Sequence, residues 1–334
     1  MRHANLPFSQ TLVINFDDVG KTYRGLLRPS VRAVERFSLR IADGDVLGIA
    51  GPNGAGKSTL LAMLLGFQYP TSGRIQIDGM TPRRYVEHHG VSYVPELMAV
   101  NPRWRTTDAL HRFAVLSGVA PEHRRERVES VIALLGLQEH RDKPIKALSK
   151  GNAQRVGIAQ ALLREQRIMV FDEPTHGLDP QWMLRFRDIV RELRAPDRII
   201  IIASHNLDEL QRLTDRVVIV DHGQLQRIVS TAYVGTADEA VHYRVQMAAG
   251  AQYLSARFPD AVALGNGEFE IEAPDLAALN QGLAATIDAG GLVASVAPRR
   301  TMLEAQFDVA VEARKGVRAL SHTPAYAETE GAGR

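Results

Sequence analysis

Residues Gly51 to Thr59 spell Gly-Pro-Asn-Gly-Ala-Gly-Lys-Ser-Thr, and their chemistry is that of a phosphate cradle. Gly51, Gly54 and Gly56, with Pro52, Asn53 and Ala55 between them, let consecutive backbone N–H groups turn inward on an anion, and a helix starting near Lys57 adds its positive end. Lys57 is then placed to reach the β- and γ-phosphates, Ser58 to hold Mg2+ through its hydroxyl, and Thr59 to contact the α-phosphate. A chance match to Gly-x-x-x-x-Gly-Lys-Ser in a chain of this length is roughly one in a hundred, so an ordinary glycine-rich turn explains the run poorly. Far downstream, Asp172 and Glu173 stand side by side. Alone, such a pair would be expected to solvate a turn. Beside a phosphate cradle, Asp172 suits Mg2+, directly or through water, and Glu173 suits a general base that polarises an attacking water.

Strands must deliver these groups. Val46 to Ala50 and Ile168 to Phe171 are short apolar runs of the kind that fill a parallel sheet, and each ends at the residues just described. Ile199 to His205 and Val217 to Asp221 repeat the pattern, implying βα units around a mainly parallel sheet whose strand ends share one edge. With 334 residues, 45% hydrophobic and 23% charged, the chain has material for a sizeable core and more than one domain. Forty basic and 38 acidic residues leave a formal charge of +2, which argues against a protein devoted to a nucleic-acid backbone, and no nucleic-acid partner is expected. The absence of cysteine excludes disulfides, thiolate metal sites and cysteine nucleophiles. The first ten residues carry no apolar segment of the secretory kind, and runs such as Ile199 to Ala203 are too short to span a bilayer. Any membrane role is therefore expected to pass through a partner chain.

Ala147 to Arg155 reads Ala-Leu-Ser-Lys-Gly-Asn-Ala-Gln-Arg. Ser149 and the backbone N–H of Gly151 would lie at a helix N-terminus, an anion site in this company and a plain helix cap otherwise. The segment resembles the signature motif of ATP-binding cassette (ABC) ATPases. Leu148, Ser149 and Gly151 fall on its leucine, serine and second glycine, and Gln154-Arg155 on the polar pair that follows, while Lys150 and Asn152 depart from the commonest LSGGQ form. Lysine at that position is similar to cassettes serving ABC-2-type permeases.

The resemblance implies roles that spacing alone does not. Tyr23 would stack on adenine. Glu96, in Val91 to Glu96, stands where the family's Q-loop has glutamine, keeping an oxygen for Mg2+ and losing an amide donor. Asp179, in Gly177 to Pro180, would lie in a loop crossing a dimer interface, and His205 would contact the γ-phosphate. Lys57, Ser58, Asp172, Glu173 and His205 of one subunit would face Ser149 and Gly151 of a second copy, head to tail, with ATP and Mg2+ between them. A transmembrane permease, engaged near Leu97 to Trp104, would be the other partner and would hold the chain at the cytoplasmic face of the membrane. The expected function is ATP hydrolysis that energises this permease, with Lys150, Glu96 and the C-terminal appendage leaning toward an ABC-2-type exporter. A soluble cassette acting on ribosomes would carry two phosphate loops, and one acting on chromosomes would carry long heptad arms; the sequence has neither. A regulatory module without catalysis is the remaining alternative, and Glu173 argues against it.

The expected fold is α/β, a P-loop NTPase with a RecA-like core, an N-terminal antiparallel β subdomain from about Leu12, and a helical signature subdomain inserted at about 97–163. The cassette is expected over 11–223, a small C-terminal α+β appendage over 224–314, and a disordered tail over 315–334. In the appendage, Val241 to Met247, Phe269 to Glu272 and Leu292 to Val296 are expected strands and Asp275 to Ile287 an amphipathic helix. Thr301 to Phe307 is loosely similar to a leucine-glutamate-phenylalanine pattern near the end of many cassettes paired with ABC-2 permeases, or else is one ordinary helix.

Overall fold

The computed structural model describes residues 12–25, 29–164, 166–231, 241–298 and 307; the expected tail and all but the last residue of Thr301 to Phe307 lie outside them. The chain divides into two compact units, Met1–Thr231 and Ala232–Arg334.

The first unit begins with β1 (Val13–Tyr23) and β2 (Val31–Ala42), followed by β3 (Val46–Ala50), α1 (Lys57–Leu64) and β4 (Ser72–Ile77). β1, β2 and β4 form an antiparallel sheet in the order β2-β1-β4. After α2 (Pro82–His89) and β5 (Ser92–Val94), three helices make the inserted subdomain: α3 (Thr106–Leu116), α4 (Arg124–Leu134) and α5 (Lys150–Leu162). The chain returns through β6 (Ile168–Asp172), α6 (Pro180–Leu193), β7 (Ile199–Ser204), α7 (Leu207–Leu213), β8 (Arg216–Asp221) and β9 (Gln224–Ser230).

β5 to β9 and β3 form a six-stranded sheet in the order β5-β6-β7-β3-β8-β9, parallel except for β9. Every residue of β3, β6 and β7 is buried, as expected of strands covered on both faces. Leu60, Leu61 and Leu64 of α1 fill the space between this sheet and the antiparallel one, against Phe16, Phe37, Ile49 and Ile201. Register then sets the catalytic edge: Ala50 pairs with Ser204, and Asp172 with Ala203. β9 corrects the expected boundary at 223. The His222-Gly223 turn has both φ angles positive, 46° and 77°, which suits a two-residue hairpin, so the cassette keeps one more strand and runs to Thr231.

The second unit continues with β10 (Val241–Ala249), α8 (Ala251–Arg257), β11 (Val262–Gly265), β12 (Glu268–Ala273), α9 (Leu276–Asp288) and β13 (Leu292–Pro298). Its four strands form an antiparallel sheet in the order β11-β12-β10-β13, the βαββαβ arrangement of a split βαβ fold. Val245, Met247, Ile271, Leu254, Phe258 and Leu279 make its separate core. The expected strands and helix are there; α8 and β11 are additions.

Candidate active site

The loop from Gly51 to Gly56 connects β3 to α1, and its glycines answer to contacts. A Cβ on Gly51 would sit 2.3 Å from the Val220 carbonyl oxygen, and one on Gly56, where φ is +103°, 2.4 Å from that of Ala33. Gly56 caps α1 without a side-chain hydrogen bond, so the first-turn N–H groups face the loop as an anion site. Lys57 Nζ donates to the Gly51 carbonyl at 2.7 Å and lies 4.0 Å from Glu173 Oε1. Burial lowers the Lys57 pKa, opposed by Glu173, Asp172 and Glu96.

Asp172 ends β6. Its carboxyl is pushed up to about 6 by burial and then by Glu173 and Glu96, against a hydrogen bond from Ser58 and the charge of Lys57. Glu173 follows with φ 49°, a left-handed conformation unusual outside glycine, secured by its N–H bonding the Ala203 carbonyl at 2.9 Å. That turn swings its carboxylate onto β7. Oε1 accepts from the His205 backbone N–H at 3.0 Å, and Oε2 lies 2.9 Å from His205 Nδ1 and accepts from Ser204 Oγ at 3.3 Å. A carboxylate only accepts, so Nδ1 carries the hydrogen of this contact. Three residues that the sequence reading missed hold this arrangement from behind. Glu209 Oε2 accepts from Thr175 Oγ1 at 2.6 Å and lies 3.4 Å from Ser204 Oγ, its own pKa raised by burial. The Asn206-x-x-Glu209 spacing, the sequence pattern of a capping box, was the available signal: the Asn206 side chain accepts from the Glu209 N–H at 3.1 Å, while the Asn206 N–H goes to Ser204 Oγ at 3.1 Å and leaves the Glu209 carboxylate to the site.

The remaining predicted residues fall in two places. Glu96 follows β5 and is close enough to Asp172 and Lys57 to move both titrations. Tyr23, 40% exposed at the end of β1, donates its hydroxyl to Gln68 Oε1 at 2.6 Å and lies 3.5 Å from Thr59 Oγ1. Ser149, by contrast, caps α5, accepting from the Asn152 N–H at 3.2 Å. Gly151 packs so closely that a Cβ there would be 2.8 Å from the Gly177 carbonyl. Asp179 caps α6, accepting from the Trp182 N–H at 2.9 Å. Gln154 Nε2 donates to the Pro174 carbonyl at 3.0 Å, and Lys150 Nζ lies 2.7 Å from His176 Nε2. The contacts of this signature group therefore run to the segment after Glu173. The first group, an anion loop with a lysine cation and a pinned carboxylate, is a set suited to phosphoryl transfer to water.

Comparison with known proteins agrees. The family model described as ABC transporter matches residues 34–176. The chain is similar to the ABC transporter ATP-binding protein NatA of Bacillus subtilis, 32% identical over 219 residues, which cover 64% of this chain and 89% of that protein. It is likewise 32% identical over 193 residues to the Nod factor export ATP-binding protein I of Ralstonia nicotianae, covering 57% of this chain and 60% of that protein. Its fold matches the ATP-binding cassette MJ0796, solved as a dimer in a post-hydrolysis state bound to ADP and Pi, with TM-score 0.61, 22% identity, and 66% of this chain against 100% of that one. The chain belongs to the ATP-binding proteins of ABC transporters, the subunits that bind and hydrolyse ATP to drive transport.

Proposed function

We propose that this cassette hydrolyses ATP at sites shared between two copies, head to tail, and so drives a separate exporter permease of ABC-2 type. The reading is carried by Glu173, whose carboxylate is fixed by His205 and Ser204 at 4.0 Å from Lys57. Lys57 and the backbone of Gly51 to Gly56 take the β- and γ-phosphates, Thr59 the α-phosphate and Tyr23 the adenine. Glu173 receives a proton from the attacking water at a carboxylate oxygen, while His205 orients that carboxylate through Nδ1–H and, with a hydrogen on Nε2 as well, would donate to the γ-phosphate. Ser149, Gly151 and Asp179 complete the site of the second copy. Asp172, Ser58 and Glu96 suit Mg2+, since the carboxyl of Asp172, raised to about 6 by burial beside two other acids, marks negative charge in need of a counter-ion. Bound Mg2+ would neutralise charge on the phosphate oxygens.

Export is supported by the similarity to a Nod factor export protein and by Lys150 in the signature segment. Among the described residues no helix is long and apolar enough to cross a membrane, which suits peripheral attachment to a permease at the cytoplasmic face, through Leu97 to Trp104, where Leu97 is exposed. Glu173→Gln should lose turnover by about 100-fold or more yet form a stable dimer with ATP and Mg2+, and a tagged form should bring a polytopic permease out of solubilised membranes. A variant that stays monomeric with ATP bound rules out shared sites, and capture without a membrane protein rules out the transporter role.

A further inference from the structure

The signature segment departs from its commonest form at Lys150 and Asn152, and each departure meets a histidine. Lys150 Nζ lies 2.7 Å from His176 Nε2, and Asn152 Nδ2 lies 2.9 Å from His140 Nε2. The second contact is determined in its direction. Asn152 Oδ1 accepts from the Arg155 guanidinium, which is itself held by the carbonyls of Leu135 at 3.1 Å and Gly136 at 3.2 Å and lies 4.1 Å from the Trp182 ring. The amide therefore turns its NH2 to His140, and Nε2 must accept with a lone pair.

We propose that His140 is a positioning residue for ATP-driven pairing: as a neutral imidazole it accepts from Asn152, fixes the opening turn of α5, and thereby holds Ser149 and Gly151 ready for the second copy's nucleotide. The inference rests on the shared-site reading above. The link to Ser149 is direct, since the Asn152 N–H donates to Ser149 Oγ at 3.2 Å. Asn152 is thus held by its side chain on one side and holds the motif's serine on the other.

Protonation of the ring would undo this. A second N–H at Nε2 would point at the hydrogens of the Asn152 amide, and the ring's new positive charge would lie beside the Lys143 ammonium, 3.1 Å from Nδ1. The charged groups facing the ring are Lys143, Arg155 and Glu139; burial first, then Lys143 and Arg155, hold the imidazole below its ordinary value, with Glu139 opposing. With the pKa lowered in the fold, the neutral ring prevails at neutral pH, and the bond is lost as pH falls through that lowered value.

The test uses the full chain carrying Glu173→Gln, with ATP and Mg2+, and measures dimerisation by sedimentation at about pH 7.5 and about pH 5. The same background with His140→Gln, whose amide oxygen can still accept, and with His140→Ala is measured alongside, and a fluorescent ATP analogue reports nucleotide binding and folding of each monomer. Pairing of the parent should weaken with acid about tenfold more than that of His140→Gln, and His140→Ala should pair about tenfold more weakly already at neutral pH, as the loss of one hydrogen bond implies. Monomer nucleotide binding should be equal in all three at a given pH, which separates this effect from titration of Asp172. Equal acid sensitivity of the parent and His140→Gln overturns the proposal, as does undiminished pairing of His140→Ala. A Glu173→Gln parent that binds ATP and stays monomeric overturns the shared-site reading, and this inference with it.

Discussion

Asp172 places a carboxylate where burial and two acidic neighbours, Glu173 and Glu96, disfavour its charge. Its folded pKa, about 6 against an ordinary 3.8, means that the folded state holds the proton more tightly, so stability falls as pH rises from 3.8 through 6. Asp172→Asn should therefore stabilise the metal-free, nucleotide-free protein by about 1–3 kcal/mol above that window and by little below it, while ATP turnover is lost. Thermal melts at two pH values check the sign, and an equal gain at both would refute it. The same residue shows what was legible beforehand: Lys57, Ser58, Asp172 and Glu173 announce their chemistry by type and spacing alone. Ser204, Thr175 and Glu209 do not, because a serine, a threonine and a helix glutamate acquire their task only from the register that sets Asp172 against Ala203.

At the scale of elements, α7 has seven residues, and its start is fixed by Asn206. That short helix follows directly on His205, so its first turn also sets where the histidine stands. Asn206→Ala should cost about 1 kcal/mol and reduce kcat with little change in ATP binding, while Asn206→Ser, which keeps a capping oxygen, should restore both; denaturant melts and steady-state kinetics distinguish these outcomes. The strands of the central sheet could be foreseen because they are continuous apolar runs, as β7 with its four isoleucines illustrates. α8 and β11 could not. α8 is a seven-residue helix after Gly250 without a capping side chain, and all four residues of β11 are exposed, so neither carries an apolar period.

For the whole molecule, the two units have separate cores, and the boundary between them is testable. A chain ending after Thr231 should fold cooperatively and bind ATP. One ending at Gly223 loses β9, which covers β8 with Val229 and Leu225, and should be less stable by about 3–5 kcal/mol. Equal melting of the two would move the boundary back to where the motifs stop. The motifs hid β9 because it carries none, although the His222-Gly223 turn marks a hairpin. Lastly, Gly151 and the Gly177 carbonyl touch with no room for even one carbon between them. Parts meshed this tightly have no backlash: if the sites are shared between two copies as proposed, a displacement beside one nucleotide would be delivered at once to the surface that meets the other, and the pair would run its two turnovers on one clock.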